Sequence, residues 1–98
     1  MSSELDPAGA ELRTIHEIAD LRNSRVLEVG AGDGRLTFRY AMETESVVGI
    51  DIKELDIQSA ERSCRAELRG KVHFLCARAT ALPLPAQRFD VVLLASSL

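Results

Sequence analysis

The stretch Val26-Leu27-Glu28-Val29-Gly30-Ala31-Gly32-Asp33-Gly34-Arg35-Leu36-Thr37 decides the architecture. Val26, Leu27 and Val29 form a short, β-branched apolar run, the pattern of a strand covered on both faces of a parallel sheet. Gly30, Gly32 and Gly34 follow at every second position, where missing side chains permit positive φ and close approach of a ligand to the main chain. From Arg35 to Ala41 a helix-compatible pattern resumes, so the turn sits at a helix N-terminus, an environment that favours an anionic or acceptor group. The segment predicts strand, glycine turn and helix around a small-molecule cradle.

Spacing narrows the ligand. A dinucleotide fingerprint, G-x-G-x-x-G, uses its second glycine to admit a diphosphate and its third to pack helix on strand. Here the third glycine comes one residue early, and Arg35 stands where the fingerprint needs glycine. Glu28, just before the turn, is poorly suited to a doubly negative diphosphate and well suited to a ligand carrying an ammonium and a sulfonium. A nicotinamide enzyme is therefore disfavoured.

Working outward, the chain has 98 residues, 46% hydrophobic, 28% charged and 4% aromatic, values of an ordinary globular protein of one domain at most. Doubly wound α/β domains are usually longer, roughly 100–200 residues being common, so an incomplete fold is expected. Fifteen acidic and twelve basic residues give a formal net charge of −3 with the signs interspersed, which argues against a basic nucleic-acid groove. Met1 to Asp6 has neither a basic start nor the apolar core of a signal peptide, and no apolar run reaches membrane-span length, so a cytoplasmic protein is expected. Cys64 and Cys76 lie twelve positions apart, and they and the two histidines, His16 and His73, lack metal-ligand spacing. Both cysteines read as reduced residues filling the core.

Residues 1–23 form an N-terminal helical segment: Asp6 and Pro7 make a helix start, and Ala8, Leu12, Ile15, Ile18 and Ala19 recur at helical spacing, with His16 beside the stripe. Residues 24–98 form the second unit. Its second strand is Ser46-Val47-Val48-Gly49-Ile50-Asp51-Ile52, and Asp51 lies 21 residues beyond Gly30. That is close to the separation, about 20, at which nucleotide-binding α/β units hold a ribose. A carboxylate can accept both hydroxyls of a cis-diol through charge-assisted hydrogen bonds; an acid after a strand can equally cap the next helix.

Lys53 to Leu68 reads as one helix with Ile57, Ala60, Cys64 and Leu68 on its apolar side and Gly70 as its left-handed terminator. Lys71 to Cys76 reads as a third strand with His73 on the exposed side, and Val91 to Ala95 as a fourth. Between them lies Ala77-Arg78-Ala79-Thr80-Ala81-Leu82-Pro83-Leu84-Pro85, ahead of Phe89-Asp90.

Three ordered features, Glu28-x-Gly30-x-Gly32-x-Gly34, Asp51 and the Leu82-Pro83 to Phe89-Asp90 segment, together resemble the class I S-adenosylmethionine-dependent methyltransferases over residues 24–98. The resemblance implies an α/β, Rossmann-like, mostly parallel sheet of order 3-2-1-4 with flanking helices, truncated after strand four. It implies S-adenosylmethionine as cofactor and S-adenosylhomocysteine as product. Glu28 would lie near the methionyl ammonium, Gly30, Ala31, Gly32 and Gly34 would form the floor, Asp51 would hold the ribose and Ile52 would pack on the adenine. Ala95 would contact the cofactor from the fourth strand. Where the family carries an acid for the adenine amine, this chain has Arg78, whose guanidinium has donors only, which leaves backbone groups around Ala79 to read the base.

The acceptor is less legible. After strand four stand only Ala95-Ser96-Ser97-Leu98, neither the D/N-P-P-Y loop of base-amino methyltransferases nor a cysteine nucleophile. By elimination a small molecule or lipid is expected rather than a nucleobase, with Ser96 and Ser97 near the donor methyl. No catalytic residue and no metal is assigned. An aminopropyltransferase is a related alternative that would need an acidic polyamine pocket; a truncated, non-catalytic cofactor-binding or interaction module is the alternative from another class. Val91 to Ala95 would form a flat apolar edge strand, prone to pairing with another chain. A second chain, or the missing C-terminal half of a longer methyltransferase, is expected to cover it.

Overall fold

The computed structural model describes residues 21–81 and 88–95. The expected N-terminal helix with His16, the Leu82–Pro85 loop, and Ser96 and Ser97 lie outside the described residues. Four strands, β1 (Arg25–Val29), β2 (Ser46–Asp51), β3 (Val72–Cys76) and β4 (Val91–Leu94), form one sheet in the order β3-β2-β1-β4. Every pairing is parallel. Helix α1 (Arg35–Tyr40) links β1 to β2, and α2 (Glu54–Ser63) leads from β2 towards β3. This is the Rossmann-like arrangement expected, with the chain reversing its direction of growth at β1.

Register decides which side chains meet. Val26, Val47, Val72 and Val91 stand in one cross-strand row, and Glu28, Gly49, Phe74 and Leu93 in the next row on the same face. Leu36, Tyr40, Ile57, Ala60, Cys64 and Leu68 complete the buried cluster with that face. Val26, Val47 and Leu68 are fully buried, each burial worth about 1.5–3 kcal/mol. The opposite face carries Leu27, Val29, Val48, Ile50 and Leu75 with Val92 and Leu94. Leu27 and Ile50 are buried there, whereas Val92 and Leu94 are 55% and 61% exposed.

The 53–68 region departs from a single helix. Helix α2 ends at Ser63, Cys64 and Arg65 are extended, and a 3-10 turn spans Ala66–Leu68. The break lets both Cys64 and Leu68 reach the core, where each is buried, in a stretch whose Ser63 and Cys64 are weak helix formers. Gly70 consequently terminates no α-helix and does not adopt positive φ. Cys76 is also not a core residue: it ends edge strand β3 and is exposed, its Sγ 3.6 Å from the Ile52 carbonyl oxygen.

Strand β4 is fixed to β1 at its start by Arg25 and Asp90. The Asp90 carboxylate accepts from the Arg25 main-chain N–H at 2.8 Å, from Nε at 3.1 Å and from Nη2 at 3.0 Å. In return the Asp90 N–H donates to the Arg25 carbonyl at 2.7 Å. The Arg25 guanidinium and main-chain N–H hold the Asp90 carboxyl down at about 2.

Candidate cofactor site

The carboxyl ends of β1, β2 and β3 converge where open α/β sheets bind ligands, next to the strand at which the order reverses. Gly30, Gly32 and Gly34 all have positive φ, at 82°, 59° and 89°. The turn is tied down from below: the Gly30 and Ala31 N–H groups both donate to the Ile50 carbonyl, at 2.8 and 2.9 Å. The Gly34 N–H donates to the Ala31 carbonyl at 3.0 Å, and the Arg35 N–H to Asp33 Oδ1 at 3.3 Å. The Gly32 N–H donates to Asp51 Oδ2 at 2.9 Å. With these N–H groups satisfied within the protein, the turn presents no ready nest of donors for a diphosphate.

The three glycines serve different purposes. A Cβ on Gly32 would meet nothing within 4 Å, so the space over it is open. A Cβ on Gly34 would lie 2.8 Å from Phe38 Cε2 and 3.2 Å from Phe74 Cζ. Gly34 therefore makes room for an edge-to-face pair, Phe38 and Phe74, with ring centroids 5.8 Å apart, and not for a ligand. Gly49 is glycine for a similar reason, because a Cβ there would stand 3.0 Å from both Ala31 Cβ and Phe74 Cδ1.

Glu28 is fully buried, in an otherwise apolar row facing α1. Its Oε1 accepts the Thr37 hydroxyl at 2.7 Å and the Tyr40 hydroxyl at 2.5 Å, while Oε2 is buried with no hydrogen-bond partner among the described residues. Burial pushes the carboxyl above the usual range, and the Tyr40 and Thr37 hydroxyls draw it partly back. The sequence places Thr37 and Tyr40 on the helix after the turn without marking them as donors to Glu28. Their signal was the spacing of three residues on one helix face opposite an acid in an apolar strand, since a buried carboxylate requires donors.

Asp51 ends β2 half-buried, with Oδ2 on the Gly32 N–H and Oδ1 accepting the Lys53 N–H at 2.9 Å. Each oxygen keeps a further lone pair. Beside it lies a cleft of about 310 Å³ lined by Val29, Gly30, Ile50, Asp51, Ile52, Lys53, Ala77 and Arg78. That volume falls at the lower end of the range for small-ligand sites, roughly 300–1,000 Å³. The fold thus brings Gly30, Asp51, Ile52 and Arg78 to one cleft, together with Lys53, whose place in the sequence marks only a helix start. Ile52 is 63% exposed there. Ala31 lies buried beneath the turn, and Ala79 opens a 3-10 turn just past Arg78. Glu28, Gly34 and Ala95 do not line the cleft. Ala95, one residue beyond β4, is half-buried against the core.

Comparison with known proteins decides the family: the family model described as "Methyltransferase domain" matches residues 26–98. The chain belongs to that family. Its methyltransferase domain is 37% identical over 70 residues to 27-O-demethylrifamycin SV methyltransferase of Amycolatopsis mediterranei, covering 69% of this chain and 26% of the relative. It is 51% identical over 39 residues to tRNA1(Val) (adenine(37)-N6)-methyltransferase of Cronobacter sakazakii, covering 40% of this chain and 16% of the relative. Among solved structures it resembles a dimethyladenosine transferase from Plasmodium falciparum, with a TM-score of 0.72, 27% identity, and coverage of 86% of this chain and 30% of that one. The methyltransferase domain thus spans well under half the length of each. Among the described residues no group of His, Cys, Asp and Glu could hold a metal ion, and no helix is long and apolar enough to cross a membrane.

Proposed function

We propose that this chain is the cofactor-binding portion of an S-adenosylmethionine-dependent methyltransferase. The observation that carries the reading is Asp51, whose carboxylate braces the glycine turn and keeps spare acceptor capacity beside an open cleft. In this reading Asp51 accepts the two ribose hydroxyls and Ile52 lies against the base. The open space above Gly32 admits the methionyl portion, and the unpartnered Glu28 Oε2 answers the need of its ammonium for a buried acceptor. Bound S-adenosylmethionine would supply an activated methyl on sulfur, with S-adenosylhomocysteine as product. The protein's contribution is then orientation, since holding two reactants in attack geometry can be worth on the order of 7–11 kcal/mol in the best cases.

For the acceptor we favour a small molecule or lipid over a nucleobase, because Ala95-Ser96-Ser97-Leu98 stand where base-amino methyltransferases carry D/N-P-P-Y. The two relatives' names point in different directions here, one to a rifamycin and one to a tRNA adenine. We also infer that a further part of a longer enzyme, or a second chain, covers β4, because β4 pairs only with β1 among the described residues while Val92 and Leu94 are exposed.

A second reading, a non-catalytic module, draws on Arg78 in the cleft. Calorimetric titration with S-adenosylmethionine, S-adenosylhomocysteine and NAD separates the two. Saturable binding of either sulfur nucleoside, tighter than NAD, supports the cofactor reading; no heat at millimolar ligand supports the non-catalytic one.

A further inference from the structure

Strand β3 leaves one edge of the sheet unpaired among the described residues. On its inner side the Lys71 carbonyl accepts the Val47 N–H at 2.9 Å, and the Ala77 N–H donates to the Asp51 carbonyl at 3.0 Å. Main-chain groups alternate sides along a strand, so Val72, Phe74 and Cys76 turn their N–H and carbonyl groups away from β2. No described residue bonds to those groups. A cavity of about 250 Å³ opens on the same edge. Three consecutive strand residues line it, Val72, His73 and Phe74, and their side chains alternate between the two faces of the sheet. The cavity therefore lies along the outer edge and not on either face. Its other side is closed by Glu61, by Cys64 just past the end of α2, and by Arg69 in the turn before β3. Its floor is apolar, because Cys64, Val72 and Phe74 are buried.

The charge of this edge is opposite to that of the chain. From Ser63 to Arg78 stand Arg65, Arg69, Lys71 and Arg78 against Glu67 alone, in a protein of net charge −3. Arg65 is taken up by Glu67, with Nε 3.7 Å from the carboxylate, and Lys71 Nζ donates to the Met42 carbonyl at 3.1 Å. Arg69 and Arg78, one beyond each end of β3, are exposed and form no ion pair among the described residues. Glu61 repels an acid at the middle of the edge, which leaves the two ends for acids. We propose that the outer edge of β3 docks an extended peptide segment of a partner protein as a further strand, with an apolar side chain in the cavity and acidic residues at its ends facing Arg69 and Arg78. Main-chain bonds to Val72, Phe74 and Cys76 supply affinity, and the cavity with its two flanking guanidinium groups supplies selectivity. A nucleic acid answers the positive charge but lacks the evenly spaced amide and carbonyl groups that the edge calls for. Of these residues only Arg78 also lines the Asp51 cleft, and the proposal does not depend on the cofactor reading.

The probe is a fluorescein-labelled synthetic peptide with a central leucine, flanking valines and threonines, and glutamates at both ends. It is titrated into the full chain and followed by anisotropy, with amide hydrogen exchange read along β3 and β4. Saturable binding is expected, with the amides of Val72, Phe74 and Cys76 becoming protected and those of β4 unchanged. The same peptide N-methylated at its central residues cannot pair with a strand and should bind about tenfold more weakly, the loss of about two hydrogen bonds. Arg69→Glu, at an exposed position and with its fold checked by circular dichroism, should weaken binding by about fivefold. The proposal is overturned by absence of saturable binding, by equal binding of the N-methylated peptide, by an affinity that Arg69→Glu leaves unchanged, or by protection at β4 in place of β3. Tighter binding of labelled oligouridylate than of the peptide overturns it too, in favour of a nucleic acid. None of these outcomes bears on the cofactor reading, which titration with S-adenosylhomocysteine tests separately.

Discussion

Asp51 Oδ2 accepts the main-chain N–H of Gly32 at 2.9 Å, across 19 positions of sequence, and so ties the end of β2 to the middle of the glycine turn. The residue expected to hold a sugar is at the same time the strut of the loop beneath the rest of the ligand. Asp51→Ala removes both roles. Charge-assisted hydrogen bonds contribute about 1.5–3 kcal/mol each, so S-adenosylhomocysteine affinity should fall by roughly 10- to 100-fold, read by calorimetry. Asp51→Asn should fall between wild type and Asp51→Ala, because the amide keeps one acceptor and turns a second donor towards the Gly32 or Lys53 N–H.

Gly32 and Gly34 should fail differently on substitution. Gly34→Ala puts a methyl 2.8 Å from the Phe38 ring at φ +89°, combining strain with overpacking, and should cost about 1–3 kcal/mol of stability. Gly32→Ala, at φ +59° in open space, should lose about 1–2 kcal/mol to backbone strain alone while removing most cofactor affinity. Thermal melts and titrations on both variants check the contrast; equal effects of the two on binding would contradict it.

The buried Glu28 carboxyl predicts a pH dependence of definite sign. Its folded value is raised by burial, so its contribution to stability is fully present below the unfolded carboxyl value, about 4.3, and is lost as pH rises through the folded one. Glu28→Gln keeps an oxygen for the Thr37 and Tyr40 hydroxyls and cannot ionise. The melting temperature of Glu28→Gln relative to wild type should therefore be higher at pH 7 than at pH 4. A difference independent of pH would show that the carboxyl titrates alike in both states. Glu28→Ala takes the buried Oε1 acceptor away from the Thr37 and Tyr40 hydroxyls and should lose about 1–3 kcal/mol at either pH.

At Asp90 the sign is opposite. Its carboxyl is held at about 2 by Arg25, so what it adds to stability is present above the ordinary carboxyl range and disappears as pH falls through about 2. Asp90→Asn should be less stable than wild type at pH 6, with the gap closing towards pH 2. Because both side chains are substantially exposed, the gap at pH 6 should also shrink in molar salt.

The proposed cover over β4 predicts behaviour in solution. On size-exclusion chromatography the chain alone should run larger than 10.7 kDa or be lost to aggregation, owing to exposed Val92 and Leu94. A cooperative, well-behaved monomer of that mass would remove the need for a cover.

Much of the fold could be read from sequence because its signals are local. The β1 run, the alternating glycines and the acid ending β2 each declare a backbone geometry within a few residues, and strand order follows from their succession. What escaped depends on three-dimensional partners. Nothing near Gly34 in sequence reports that Phe74, forty residues away, closes over it with Phe38. The 53–68 region has the apolar spacing of one helix, yet the chain leaves the helix at Cys64 so that Leu68 can also reach the core, a choice made by packing and not by propensity. The position of Glu28 beside the turn is legible in sequence, but that strand alternation turns it towards α1, where the Thr37 and Tyr40 hydroxyls take its Oε1, depends on the fold.

Among the described residues, strand β4 is hydrogen-bonded to the sheet along one side, whereas β1 and β2 are each bonded on both. Amide protons of β4 should accordingly exchange with solvent through small openings well below the free energy of global unfolding, while those of β1 and β2 wait for the whole domain to come apart. The molecule would then yield first at its edge strands, β3 and β4, leaving the glycine turn and Asp51 assembled on the part that opens last.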